Sequence, residues 1–365
     1  SMNRTLSRTE RIAWARLART PRIGPLTFHR LLARFGSASA ALDALPRVSP
    51  QVPPPRDAIE GELDRLDALG ARLLASCEPD YPPLLAQLDA PPPVLAVRGD
   101  GDILRRPTIA LVGSREGSAS ALMFGERLAS DLGSAGFVVV SGLARGVDAA
   151  AHRGALKSGT AAVLAGGLDH PYPPQNLKLH EAICASGAVV SEAPLGTVAR
   201  ARDFPRRNTI ISGLSRAVIV IEAALRSGSL ITARAAADQG RDVMAAPGSP
   251  LDPRARGCNA LIKQGATLIE SAEDVIHALG DAAISFTPQS PGPLFDAAPL
   301  PAGLPGKVAR LLSPTPVHVN DLARLLAMPA GAIAAALTEL ELEGRAASLP
   351  GGYAASSGAA PLGLD

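Results

Sequence analysis

The feature that most constrains the fold lies between residues 107 and 270. Short, almost continuously apolar runs at 108–112, 137–140, 161–164, 188–191, 217–221 and 242–246 alternate with helical patterns. Strands of that kind are covered by helices on both faces. Repeated strand–helix units build a parallel, doubly wound α/β sheet of Rossmann type. In such sheets a ligand sits outside the carboxyl ends of the strands.

Those ends are rich in Gly, Ser and Arg. The first run ends in Gly113, Ser114 and Arg115, and the second in Ser141, Gly142, Leu143, Ala144 and Arg145. The third leads to Gly166 and Gly167, and the fifth to Arg226, Ser227, Gly228 and Ser229. Glycine lets the backbone approach a ligand closely, and helix-opening N–H groups favour an anion. Serine adds a hydroxyl donor and arginine a bidentate one. Four such loops on one rim predict a phosphate-binding surface.

The identity of the phosphate ligand is narrowed by what is missing. The spacing of Gly113 and Gly117 does not give GxGxxG, no acidic residue ends the second strand to hold a ribose, and no Walker A lysine motif occurs. NAD and ATP are therefore not expected, nor is any other cofactor. The histidines show no metal-ligand spacing and the three cysteines form no CxxC pair, so no metal site is expected.

A further segment, Arg200, Arg202, Phe204, Arg206, Arg207 and Asn208, interleaves an aromatic with arginines. That pattern suits stacking a base while clamping its backbone. The alternative is Phe204 in the core with solvated arginines around it. Asn176 and Lys178 open a helix near the same rim, where backbone contact to DNA and ordinary helix capping are both open. Asp148 and His152, four apart on one helix, can pair side by side. They suit either a general base held by a carboxylate or an ion pair that orients the 141–146 loop.

Pro clusters at 53–55, 91–93 and 288–305 divide the chain. Residues 1–75 read as a helical domain. Ile12, Ala15, Leu17 and Ala18 form one apolar stripe, and Leu26, Leu31, Leu32 and Phe35 a second. The Pro21 to Pro25 turn between them suggests a degenerate helix-hairpin-helix or a small helical bundle. Residues 76–281 form the Rossmann domain and 282–303 a Pro/Gly-rich linker. In 304–355 three helices and a wing at 346–349 and Tyr353 form a winged helix. Its third helix has no Arg or Lys, which argues against direct base reading. No apolar run reaches membrane-spanning length, and the N-terminus lacks a signal-peptide core. With widely spaced cysteines, this favours a cytoplasmic protein.

The strings ALVGSR (110–115), SGLARGVDAAAH (141–152), GGLDHPYPPQN (166–176), FPRRN (204–208), IISGLSRAVIVIEAALRSGSLITARAA (210–236) and GCNALIKQGA (257–266) resemble the DprA/Smf family of natural transformation. The resemblance implies an extended Rossmann fold with accessory helical (SAM or helix-hairpin-helix-like) and winged-helix domains. It implies single-stranded DNA binding, dimerisation through the Rossmann domain, loading of the RecA recombinase and displacement of single-strand-binding protein. The family's GSR motif carries over to Gly113, Ser114 and Arg115 as a phosphate contact. Its FxxRNR motif appears as Phe204 to Thr209, with Thr209 in place of the final Arg. Arg206 is then expected to compensate, and Arg115, Arg206, Arg207 and Lys178 to neutralise phosphates.

No catalytic residue is expected. One rival is an enzyme of the nucleotide phosphoribohydrolase (lysine decarboxylase-like) type, with Glu192 or Glu222 as its acid. Its PGGxGTxxE signature is missing. Another is a transcription regulator reading duplex DNA through the winged helix. The chain's net charge of +2 hides a domain pattern: residues 1–50 carry +7, 51–105 −5, 106–270 +5 and 271–365 −5. The expectation is that DNA meets residues 1–50 and the Rossmann rim. An acidic winged-helix tail would meet protein and mask the rim.

Overall fold

The computed structural model describes residues 4–280, 300–312 and 315–357. Within these, the residues up to 280 belong to one compact unit and those from 300 to another.

The first unit opens with four helices, α1 (Arg8–Ala18), α2 (Pro25–Phe35), α3 (Ala38–Val48) and α4 (Arg56–Ala68). Ser7 and Glu10 form a capping box that starts α1. Pro25 occupies the first turn of α2, and Gly36, at φ 81°, ends it in the left-handed conformation. Leu17, Phe28 and Leu45 are fully buried, and the Trp14 and Phe28 rings lie 5.0 Å apart. The second stripe is corrected in one place. Leu26 faces solvent and Phe28 takes the core position, because the helix begins at Pro25 and its inward face is set from there.

The sheet follows: β1 (Ala71–Ala75), α5 (Pro83–Ala86), β2 (Val94–Gly99), β3 (Thr108–Gly113), α6 (Ala119–Ser134), β4 (Val138–Ser141), α7 (Val147–Ala155), β5 (Thr160–Val163), α8 (Leu177–Ser186), β6 (Ala188–Ser191), α9 (Asp203–Gly213), β7 (Ala217–Ile221), α10 (Gly228–Asp238), β8 (Asp242–Ala245), α11 (Arg256–Lys263), β9 (Thr267–Leu268) and α12 (Ala272–Leu279). All six expected strands are present within a residue of their expected ends. The strand order is β1-β2-β6-β5-β4-β3-β7-β8-β9. From β6 to β9 every pairing is parallel, whereas β1 pairs with β2, and β2 with β6, antiparallel. The two antiparallel strands extend the sheet and move its start to Ala71. The expected boundary at 75 therefore falls at the end of a strand, since Ala71 to Ala75 pair residue by residue with Arg98 to Val94.

This order positions the site. From β3 the chain winds outward through β4, β5 and β6, then returns to place β7 on the other side of β3. The reversal leaves a crevice above the carboxyl ends of β3 and β7, where open α/β sheets bind ligands. β3 to β7 are buried throughout except Gly113, as strands covered on both faces must be.

The second unit contains α13 (Gly303–Leu311), β10 (Val317–His318), α14 (Val319–Leu326), α15 (Ala330–Leu342), β11 (Ala346–Leu349) and β12 (Tyr353–Ser356), with sheet order β10-β12-β11. Val308, Leu322, Ile333, Leu337, Leu340 and Ala354 form its core. This is the winged-helix arrangement. Its expected acidity is corrected by position: residues 304–353 contain four basic and four acidic residues, so the tail's acidic surplus lies outside the winged helix. The expected linker lies almost wholly outside the described residues. Among the described residues, no single helix is long and apolar enough to cross a membrane.

Candidate nucleic-acid interface

A cleft of about 470 Å³ opens at the switch point, bounded by Gly113, Ser114 and Arg115 after β3, Arg145 after β4, Arg207 and Asn208 on α9, and Ser227, Gly228, Ser229 and Thr232 on α10. Nine of the sixteen residues expected from sequence thus line one cleft. Gly113 has no room for a side chain: a Cβ there would fall 1.9 Å from the Ile221 carbonyl oxygen. The Ser114 N–H donates to the Glu222 carbonyl at 2.7 Å, which ties the ends of β3 and β7 together. Ser227 caps α10 by accepting from the Ser229 N–H, and a Cβ on Gly228 would meet nothing within 4 Å. The start of α10 is therefore open to an anion. The start of α6 is already occupied, because the Glu222 carboxylate accepts from the Ser118 N–H at 2.8 Å and its hydroxyl at 2.5 Å.

The 141–146 loop is braced from below rather than aimed outward. Ser141 is fully buried and its hydroxyl donates to the Leu111 carbonyl at 2.6 Å. The Asp148 carboxylate accepts from the N–H groups of Gly142 (3.1 Å) and Ala144 (3.4 Å). His152 accepts from the Leu143 N–H through Nε2 at 3.3 Å. Its Nδ1 lies 2.7 Å from the Thr160 hydroxyl, which itself donates to the Val139 carbonyl. Thr160 must then accept, so the Nδ1–H tautomer is the one that satisfies every partner. Asp148 and His152 orient the loop separately; the expected direct pair between them is replaced by these backbone contacts. Burial pushes His152 down to about 3, leaving it neutral at ordinary pH and poorly suited to trading protons. Burial pushes the Asp148 carboxyl up, opposed by Arg207 and its backbone donors.

Arg207 is 6% exposed. Its Nη1 donates to the carbonyls of Gly142 (2.6 Å) and Val163 (3.0 Å), and its Nε to Asn208 at 3.1 Å. These bonds join α9, the 141–146 loop and the end of β5. Burial lowers its pKa to about 10, so it stays charged. The sequence reading gave Arg207 the same phosphate-neutralising role as Arg115, but its donors are largely committed inward. The Phe204 ring has the guanidinium carbons of Arg115 and Arg207 each 5.4 Å from its centroid, with Tyr172 edge-on at 6.1 Å. Phe204 therefore belongs to the arginine cluster, not to the core.

Other expected residues lie elsewhere. Arg206 is ion-paired to Glu192, so its charge is already partnered. Thr209 is exposed and its hydroxyl donates to the Arg206 carbonyl. Gly167 is buried and its N–H donates to the Thr197 carbonyl. Asn176 donates to the Leu143 carbonyl at 2.8 Å, bracing the same loop. Lys178 is exposed on α8. The candidate acids Glu192 and Glu222 are engaged by Arg206 and Ser118. Thr232 was missed by the sequence reading, although it stands in the quoted string three residues after Ser229, one turn along the same helix face.

The basic N-terminal module is corrected by its pairings. Arg4, Arg8, Arg11 and Arg19 bind Glu10, Asp64, Glu78 and Glu62. The +7 of residues 1–50 is thus partly cancelled by the acidic stretch that follows. Arg22, Arg30, Arg34 and Arg47 remain exposed and have no acidic partner among the described residues. Arg19 and Glu62, both buried, also reach the rim: Glu62 accepts from the Leu195 N–H at 3.2 Å.

Comparison with known proteins matches this layout. The family described as DNA recombination-mediator protein A matches residues 72–280. The chain belongs to the DprA/Smf family. The DprA-like N-terminal HHH domain matches residues 8–64 and the DprA winged helix domain 292–352. Protein Smf of Escherichia coli is 39% identical over 306 residues, covering 82% of this chain and 81% of that protein. Protein Smf of Synechocystis sp. is 32% identical over 392 residues, covering 95% and 98%. Among solved structures, DprA from Streptococcus pneumoniae superposes with a TM-score of 0.64 at 31% identity, covering 76% of this chain and 98% of the other. DprA from Helicobacter pylori, described for its single-stranded DNA binding mode, gives 0.53 at 30% identity, covering 57% and 95%.

Proposed function

We propose that this DprA/Smf family member binds single-stranded DNA along the rim of its Rossmann sheet and acts as a non-enzymatic recombination mediator in the cytoplasm. The observation that carries the reading is the arginine-lined cleft at the switch point, with the open start of α10 beside Arg115. Arg115 is exposed, has no acidic partner among the described residues and lies against Phe204, so it suits a phosphate next to a stacked base. Arg145 supports the same strand from the facing loop, and Lys178 extends the path. Gly142, Asn176, Arg207 and Asn208 hold the surface in shape.

The resemblance to the family supports the rest of the reading: the bound strand is handed to RecA, single-strand-binding protein is displaced, and the protein works as a homodimer through the Rossmann domain. No catalytic step is assigned, because the two rim carboxylates that an enzyme would use are occupied by Ser118 and Arg206. The test is RecA assembly on a single strand coated with single-strand-binding protein. Wild-type protein accelerates filament growth and Arg115→Ala does not; equal acceleration by both would remove the cleft from the mechanism.

A further inference from the structure

Arg115 sits on a short loop, residues 114–118, that leaves β3 and enters α6. Apart from that entry, four hydrogen bonds tie the loop to other elements among the described residues, and three of them end on Glu222. The Ser114 N–H donates to the Glu222 carbonyl at 2.7 Å. At the far end of the loop, the Ser118 N–H and hydroxyl donate to the two Glu222 carboxylate oxygens at 2.8 and 2.5 Å. The fourth bond runs from the Val147 N–H to the Ser114 carbonyl at 3.1 Å. One residue thus grips the loop on both sides of Arg115.

Two further observations bear on this grip. Glu222 has φ 52°, in the left-handed region that residues with a Cβ seldom adopt. Such a conformation persists where the surroundings fix it, and it collects at functional sites. Here it goes with a residue whose backbone carbonyl and carboxylate reach opposite ends of one loop. The other flank is closed as well. β3 lies between β4 and β7, so the loop after β4 borders the 114–118 loop on the side away from Glu222. A Cβ on Gly146 would fall 2.2 Å from the Ser114 carbonyl oxygen and 2.7 Å from that of Arg115. The loop backbone is therefore confined from both flanks, while the Arg115 side chain stays exposed.

We propose that Glu222 is a positioning residue for nucleic-acid binding: without touching the strand, it holds the 114–118 loop so that the Arg115 guanidinium is already placed for a phosphate. The inference rests on the reading of Arg115 as a phosphate contact. A loop that moved with Arg115 would have to be ordered at each binding event, and that ordering opposes binding. A loop fixed beforehand removes this part of the cost. The contact of Arg115 with the Phe204 ring, at 5.4 Å, depends on the same placement. The carboxylate itself repels the strand little, because the α6 start and the Ser118 hydroxyl face it.

The test is a double-mutant cycle on the full chain, because only residues that act through one another depart from additivity. Binding of a dT oligonucleotide is measured across a salt series for wild type, Glu222→Ala, Arg115→Ala and the double variant. Glu222→Ala is expected to bind about five- to tenfold more weakly, the range for a lost charge-assisted hydrogen bond. Its salt slope is expected to fall by up to about 0.7, as if one phosphate contact were gone. In the Arg115→Ala background the same substitution is expected to change affinity by less than about twofold, since there is no guanidinium left to place. Glu222→Gln can keep both contacts, accepting from the Ser118 N–H and donating to its hydroxyl, and is expected to restore binding to within about twofold of wild type. If Arg115→Ala weakens binding but Glu222→Ala weakens it further by its full factor in that background, Glu222 acts on the fold at large and the positioning role is overturned, while the nucleic-acid reading stands. Glu222→Gln binding as weakly as Glu222→Ala overturns it too. If Arg115→Ala binds like wild type, the reading of the cleft fails first and the inference with it. Should Glu222→Ala melt below the assay temperature, Ser118→Ala loosens the same grip from the loop side and takes its place in the cycle, with the same two outcomes.

Discussion

Two arginines of this cleft have opposite roles. Arg115 is exposed and has no acidic partner among the described residues, while Arg207 is buried and spends its donors on the Gly142 and Val163 carbonyls. Removing each should leave a different signature. Arg115→Ala is expected to lower the salt slope of single-strand binding by about 0.7, the value for one phosphate on a single strand. Arg207→Ala is expected to weaken binding without changing the slope, and to destabilise the protein by about 2 kcal/mol, because two buried carbonyls lose their donors. Urea unfolding beside the salt titration separates these outcomes. His152 gives a pH prediction. Its folded-state pKa is about 3 against 6.5 for the free side chain, so the unfolded chain binds the extra proton between those values. The stability that depends on the neutral ring is present above pH 6.5 and is lost as pH falls toward 3. Asp148, whose pKa is raised, acts with the opposite sign. His152→Gln should flatten the acid side of the stability profile, measured by denaturant unfolding from pH 7 to pH 4. The residue types of the site were legible from sequence; which way each points was not. Arg206 and Arg207 are adjacent in the chain, yet one pairs with Glu192 and the other is buried, because successive helix positions are about 100° apart.

At the scale of elements, the strands buried on both faces were the most legible part. Continuous apolar runs with β-branched residues, such as Ala217 to Ile221, have few other uses in a soluble fold. β2, an apolar run directly after the 91–93 Pro cluster, was missed although buried, and β1 and β9 were missed for the complementary reason. β1 is Ala-, Arg- and Leu-rich and equally compatible with a helix, and β9 has only two residues, both exposed. Both are fixed by pairing with β2 and β8, which one segment's sequence does not contain. The close approach of β3 to β7 and α7 provides a test. Gly113→Ala would bring a methyl to 1.9 Å from the Ile221 carbonyl and 2.9 Å from Val147 Cβ. Overpacking of that kind typically costs about 1–3 kcal/mol. The variant is expected to lose thermal stability and single-strand affinity together, whereas Gly228→Ala, where nothing lies within 4 Å, is expected to keep its fold.

At the scale of the whole molecule, net charge was a poor guide and charge placement a better one. Four arginines of residues 1–50 are paired to acids, two of those acids lying on α4, so that segment's formal +7 overstates what a polyanion would meet. The buried Arg19–Glu62 pair and the Glu62 contact to Leu195 join that domain to the segment leading into α9. Glu62→Ala strands Arg19 in the interior and is expected to destabilise the first unit by about 3 kcal/mol, read by denaturant unfolding. The winged helix, with equal numbers of acids and bases, has no net negative charge with which to mask the rim. Removing residues 281–365 is expected to leave single-strand affinity within about twofold, as measured at moderate salt. We propose that the switch-point cleft binds single-stranded DNA through Arg115. The most direct test is fluorescence anisotropy of matched single-stranded and duplex oligonucleotides at two salt concentrations, with wild type and Arg115→Ala. The predicted result is tighter binding of the single strand, weakened by salt, with both the affinity and the salt slope reduced in the variant. Equal affinity for duplex, or an Arg115→Ala variant with unchanged affinity and slope, would contradict it.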